Sequence, residues 1–174
     1  MKKQLTILLT MLSFLGFRAS SQALEVGDAA PRVSALDQNG TKVELADLYA
    51  AGPVLVYFYP KADTPGCTAQ ACSLRDAFPD FTGDGVRVVG VSSDTPEAQK
   101  KFAAKHKLPF TLLADTDHAV AKAFGVPLIP LLGIPQRQSF IVRDGKVAWI
   151  SRNAKTAEHA AEVQAALKQL APAK

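Results

Sequence analysis

Cys67 and Cys72 are the only thiols in the 174-residue chain, and their setting invites chemistry. Sulfur attacks as the thiolate, so a reactive cysteine needs surroundings that favour the anion. Thr64-Pro65 offers such a place. A hydroxyl residue followed by proline marks a helix start, because the proline ring gives up an N–H that would be unpaired there anyway. The hydroxyl of Thr64 is expected to cap a helix running to about Phe78, which puts Cys67 in its first turn. Free backbone N–H groups and the positive end of the helix dipole favour a thiolate at that point. Residues 54–59 just upstream form an apolar, β-branched and aromatic run, so Cys67 follows the carboxyl end of a strand buried on both faces. Open α/β sheets bind their ligands at such strand ends. The less eventful alternatives are a small cysteine packing a helix start, or a structural disulfide. A disulfide closing so short a loop constrains the unfolded chain little, so stabilisation alone is a weak reason for the pair.

The elements that must position this segment alternate. Residues 33–36 and 42–45 flank Asp37-Gln-Asn-Gly40 and predict an N-terminal β-hairpin. Strands are expected at 54–59, 87–92, 111–114 and 139–142, and Asp144-Gly145 turns the last of these into another at 146–150. Asp94-Thr95-Pro96 opens a helix to about His106, and a short helix covers 118–124. Thr156 is expected to cap a last helix whose Ala160, Val163, Leu167 and Leu170 share one face. Strands interleaved with helices and ending in a hairpin give an α/β fold with a central mixed sheet flanked by helices. That order suits a thioredoxin-like fold, though the pattern alone fits several three-layer folds.

Composition narrows the functional classes. Lys2 and Lys3, an uncharged apolar run over 5–17 and the small residues of Ser21-Gln-Ala23 read as a secretory signal peptide over 1–23. The apolar run, about 13 residues, is too short to span a bilayer of ~30 Å. Residues 24–174 then form a single exported domain, periplasmic or otherwise outside the cytoplasm. Its formal charge falls from +4 to +1, because Lys2, Lys3 and Arg18 leave with the leader and no acid does. A nearly neutral domain gives no electrostatic case for nucleic acid or an anionic membrane as partner.

Residues 54–76, Val-Leu-Val-Tyr-Phe-Tyr-Pro-Lys-Ala-Asp-Thr-Pro-Gly-Cys-Thr-Ala-Gln-Ala-Cys-Ser-Leu-Arg-Asp, closely resemble the peroxiredoxin active site. Pro60, Thr64 and Cys67 stand in the family's pattern of proline, three residues, threonine, two residues, cysteine. A cysteine five positions further on is the mark of the Q-type subfamily, the bacterioferritin comigratory proteins. The likeness continues through residues 89–94, 110–115 and 139–142. It implies a thioredoxin-like fold and a thiol peroxidase in which Cys67 is the peroxidatic nucleophile and Cys72 resolves its sulfenic acid as a disulfide. It further implies that Thr64 offers its hydroxyl to the peroxide, that Pro60 shields the sulfur from bulk water, and that Arg137 holds sulfur and peroxide oxygens by charge-assisted hydrogen bonds. No cofactor or metal is implied, since sulfur carries the redox change. A thioredoxin-like protein would supply electrons, and the enzyme would be a monomer or weak dimer.

Spacing sets a condition on that disulfide. Positions five apart in an ideal helix rise about 7.5 Å and turn by about 140°, leaving their Cα atoms roughly 8.7 Å apart, beyond the ~7 Å a disulfide tolerates. The helix start must unwind before such a bond closes.

Other functional classes make different demands on the same residues. A thioredoxin-like thiol–disulfide oxidoreductase would use Cys-x-x-Cys, whereas four residues separate Cys67 from Cys72. It would also carry a cis-proline where Arg137 stands. A Cu(I)-binding module would need a histidine beside the thiols, and His106, His118 and His159 are expected on helices as solvated or capping residues. The apolar, proline-rich stretch 126–135 departs from relatives. It is expected to fold over the core or the active site, with an exposed docking patch as the alternative.

Overall fold

The computed structural model describes residues 23–170, so the predicted leader lies outside the described residues apart from Ala23. In chain order the elements begin with β1 (Ser34–Asp37), β2 (Lys42–Glu44), α1 (Leu45–Ala50), β3 (Val54–Phe58), α2 (Pro65–Asp76), α3 (Phe78–Gly83) and β4 (Arg87–Ser92). They continue with α4 (Pro96–His106), β5 (Thr111–Ala114), α5 (Ala119–Ala123), β6 (Leu128–Ile129), β7 (Ile134–Pro135), β8 (Ser139–Arg143), β9 (Lys146–Ser151) and α6 (His159–Leu170).

Seven strands form one sheet in the order β2-β1-β5-β4-β3-β8-β9. β3, β4 and β5 run parallel, while β1, β8 and β9 are antiparallel to their neighbours, which gives the mixed sheet expected of a thioredoxin-like fold. β3 is central and buried at all five positions. Because side chains alternate along a strand, it feeds two cores. Leu55, Tyr57 and then Tyr59 join Cys67, Ala71 and Leu74 of α2, Phe102 of α4 and Val163 and Leu167 of α6. Val54, Val56 and Phe58 face the other way, onto Leu45 and Tyr49 of α1 and Val120 and Phe124 around α5. Full burial of an aliphatic or aromatic side chain of this size contributes roughly 1.5–3 kcal/mol. The floor beneath the cysteine helix is therefore a continuous, buried apolar cluster.

Three boundaries differ from expectation, each for a local reason. Leu45 leaves the hairpin to start α1, a helix that sequence pattern did not reveal because six residues carry little periodicity. α2 stops at Asp76, and α3 begins at Phe78 with Pro79 in its first turn, whose missing N–H cannot carry the hydrogen-bond ladder of α2 onward. Thr156 does not cap α6. The helix starts at His159, whose N–H donates to the Thr156 carbonyl at 3.3 Å.

The stretch 126–135 covers the core only at its base. Val126 and Pro135 are buried, but β6 and β7 form a two-stranded turn whose tip exposes Leu131 and Leu132 to solvent.

Gly90 shows how tightly β4 and β3 are layered. A Cβ there would lie 2.8 Å from Leu112 Cδ2 and 2.8 Å from the Tyr57 ring and hydroxyl. Gly90→Ala is expected to lower stability by about 1–3 kcal/mol, in the range for overpacking a dense core. Urea denaturation measures this, and a midpoint equal to that of the parent would contradict the packing described.

Candidate active site

α2 begins as the sequence predicts in backbone but not in side chain. Thr64 is extended (φ −91°, ψ 154°), Pro65 occupies the first turn, and Thr68 N–H donates to Thr64 O at 2.8 Å. The expected cap is absent: Thr64 Oγ1 donates instead to Lys61 O at 3.0 Å. With no side chain capping α2, the orphan N–H groups of Gly66 and Cys67 at the helix start remain open to a ligand. Cys67 and Cys72 are both free thiols, the first buried and the second half-buried. Both lie on the one continuous helix α2, so the structure is that of the dithiol form.

Arg137, just before β8, reaches the cysteine across 70 residues of chain, with Nη2 at 3.3 Å from Cys67 Sγ. Its approach passes over Gly66, where a Cβ would sit 3.5 Å from Nη2. Arg137 Nη1 donates to Gln70 Oε1 one turn further along α2. Gln138, the next residue, accepts Phe58 N–H at 2.7 Å, so β3 and the arginine segment are joined directly. Three predicted site residues, Thr64, Cys67 and Arg137, thus gather at the mouth of one helix, and half-buried Pro60 begins the loop that leads into it.

That loop is held from below and from the side. Ala62 N–H donates to Asp94 Oδ2 at 2.7 Å, and the same carboxylate oxygen accepts from Ser92 Oγ at 2.6 Å. Gln99 Nε2 donates to Ser92 Oγ at 2.8 Å and to Leu113 O at 3.0 Å, and Tyr59 donates its phenolic hydrogen to Gln99 Oε1. Asp63, at φ 59°, pairs with Lys105 Nζ at 2.7 Å and His106 Nε2 at 2.9 Å. Those hydrogen bonds, His106 first and then Lys105, hold its carboxyl below the usual carboxylate range. Cys72 has its own cation: Arg75 Nη1 lies 3.4 Å from its sulfur and also donates to His106 O at 2.9 Å.

Sequence reasoning missed Gln70, Asp94 and His159. Asp94 looked like part of the α4 start, but Thr95 alone caps that helix and Asp94 turns back to the loop. His159 was expected to be solvated or capping. It is instead fully buried, with Nδ1 3.1 Å from Gln70 Nε2, Nε2 2.9 Å from Ser139 Oγ, and its ring edge-on to Tyr57. A histidine opening an amphipathic helix gives no sequence signal of this, because the partners come from α2 and β8.

Burial, opposed in part by Glu162 and reinforced by Arg137, pushes the His159 imidazole down to about 4 from its ordinary 6.5. The folded state holds the neutral ring, so the unfolded chain binds the extra proton between those values. The stabilisation is complete above pH 6.5 and is lost as pH falls towards about 4, by up to about 1.4 kcal/mol per pH unit. Urea titrations at pH 7 and pH 5 should show this slope reduced in His159→Asn; an unchanged slope would remove His159 as its source.

Comparison with known proteins agrees with this geometry. The profile of the AhpC/TSA family matches residues 26–150. Peroxiredoxin Bcp of Escherichia coli (strain K12) is 45% identical over 142 residues, covering 78% of this chain and 90% of that one. Among solved structures, peroxidoxin BcpB from Mycobacterium tuberculosis superposes with a TM-score of 0.78 at 34% identity, over 85% of this chain and 99% of that one. A cysteine variant of Xanthomonas campestris peroxiredoxin Q does so with a TM-score of 0.76 at 32% identity, over 87% of this chain and all of that one. With its thiol at a strand-to-helix junction, its arginine and its relatives in agreement, the chain belongs to the AhpC/TSA family of peroxiredoxins.

Proposed function

We propose that this thiol-dependent peroxidase reduces hydrogen peroxide and organic hydroperoxides through a sulfenic acid on Cys67, which Cys72 resolves as an intramolecular disulfide. The observation that carries this reading is the 3.3 Å contact between Arg137 Nη2 and Cys67 Sγ at an uncapped helix start. In the first step the Cys67 thiolate attacks the nearer peroxide oxygen. The S–O bond forms as the O–O bond breaks, sulfur is oxidised, and the departing oxygen leaves as water or an alcohol after taking up a proton. Charge builds on that oxygen in the transition state. Arg137 and the N–H groups of Gly66 and Cys67 are donors aimed where it grows. Thr64 Oγ1, anchored by donating to Lys61 O, keeps lone pairs to accept the peroxide hydrogen. Pro60 shields this pocket from bulk water.

In the second step the Cys72 sulfur attacks the sulfenic sulfur and water leaves, with one S–S bond formed for one S–O bond broken. The ideal-helix separation of roughly 8.7 Å means that α2 must first unwind locally. A thioredoxin-like protein then returns two electrons as thiols. The reading of residues 1–23 as a secretory leader supports placing this cycle in the periplasm or another exported location, with the electrons delivered from across the membrane.

Mixing reduced protein with one equivalent of peroxide tests both steps. Wild type should lose both thiols rapidly. Cys67→Ser should lose none, whereas Cys72→Ser should stop at a sulfenic acid that dimedone traps. Hydrogen exchange in α2 should rise on oxidation of the wild type. Equal peroxide consumption by Cys67→Ser, or undiminished protection of α2 in the disulfide form, would refute the scheme.

A further inference from the structure

We propose that His159 is a positioning residue that fixes Arg137 over Cys67 by holding the Gln70 side-chain amide in one orientation, an inference that rests on the peroxidase reading above. The polarity of each link follows from which groups can donate. A guanidinium has only donors, so the Gln70 atom facing Arg137 Nη1 is the amide oxygen. The Gln70 NH2 group is then the end that faces His159 Nδ1 at 3.1 Å. An NH2 group only donates, so Nδ1 must present a lone pair. The ring proton therefore sits on Nε2, which donates to Ser139 Oγ at 2.9 Å. From Ser139 through His159, Gln70 and Arg137 to Cys67 every hydrogen bond has a single permitted direction.

Among the described residues, His159 Nδ1 is the partner the structure gives the Gln70 Nε2 amide. Gln70 and His159 are fully buried, so water does not satisfy the amide in its place. Tyr57 packs edge-on against the ring at 5.9 Å between centroids, which adds to the contacts that hold it in place. Burial also keeps the ring neutral at working pH, as the acceptor role requires. The charged and titratable groups that face the ring are Glu162 on α6 itself, Arg137 before β8 and Tyr57 on β3. If the amide turned over, its NH2 would meet the guanidinium and Arg137 would lose the partner that limits its rotamers. A long side chain resting on one sulfur contact would spend less time at 3.3 Å from Cys67.

The test compares His159→Leu, which deletes the acceptor, with His159→Asn, whose Oδ1 can stand where Nδ1 stood. The rate constant for hydrogen peroxide with reduced protein is measured against pH, beside iodoacetamide alkylation of Cys67 and the melting temperature. His159→Leu should react about tenfold more slowly at neutral pH, with the acid limb of its profile displaced upward, and His159→Asn should recover to within about threefold of wild type. A merely structural histidine would lower the melting temperature of both variants and leave the pH profile alone. A wild-type rate and profile in His159→Leu, or an Asn variant as slow as the Leu variant, would overturn the proposal. Should the Leu variant fail to fold, the nitrogen shifts of His159 in the wild type decide: the Nε2–H tautomer is required, and Nδ1–H would overturn it. Wild type inert to peroxide would sink the peroxidase reading instead, while alkylation would still report whether His159 acts on Cys67.

Discussion

The constraint behind the rest of the structure is the need to keep a guanidinium beside a buried sulfur. Cys67 is only 2% exposed and belongs to an apolar cluster, a setting in which an unpaired anion is costly. Arg137 removes that difficulty, but it comes from a segment 70 residues away in the chain. Much of the sheet can be read as the means of bringing those two segments together. β3 delivers the cysteine helix at its carboxyl end, and β8 lies antiparallel beside β3, so the residue just before β8 emerges at the same edge. The register Tyr57↔Ser139, continued by Phe58 N–H to Gln138 O, leaves Arg137 level with the start of α2. A slip of one residue would turn Arg137 to the opposite face.

Placing the thiol on a helix creates a second demand that conflicts with the first. The helix start supplies N–H groups and a favourable dipole for attack, yet the same intact helix keeps Cys72 out of reach. The packing is divided accordingly. Ala71 and Leu74 are fully buried and root the later turns in the core, whereas Pro65 is exposed and Thr64 and Gly66 are half-buried. The first turn is therefore the part that can loosen at least cost. Arg75, tied to the His106 carbonyl, keeps the far end of α2 fixed to α4 and places a cation at Cys72.

Legibility in the sequence followed the range of the interactions. The β3 run, the Thr64-Pro65 helix start and the Asp37–Gly40 turn depend on neighbours within a few residues, and each was readable from spacing. Arg137 was not readable that way: a single arginine in a loop looks like surface charge, and only resemblance to peroxiredoxins singled it out. Gln70, Asp94 and His159 escaped altogether, because their partners lie 67, 32 and 89 residues away. Thr64 shows the opposite error. Its residue type fitted a cap so well that the local rule concealed a hydroxyl committed to Lys61.

The anchoring of the loop before α2 limits which residues can take part in the unwinding that the proposed disulfide needs. Asp94, just after β4, grips Ala62, and Lys105 and His106 grip Asp63 from α4, so the chain is pinned immediately upstream of Thr64. Downstream, Gln70 is held by Arg137 and His159. The unwinding that the proposed disulfide requires is thereby directed to the short stretch between these clamps, which contains Cys67 itself and excludes Cys72. In the proposed cycle it is the Cys67 sulfur that travels, because the turn carrying Cys72 is rooted in the core by Ala71 and Leu74. The Arg137–Cys67 contact is the bond given up in that movement. On the proposed mechanism the guanidinium that pairs with the Cys67 sulfur also holds the folded form until that sulfur is oxidised, when the loss of negative charge weakens its grip.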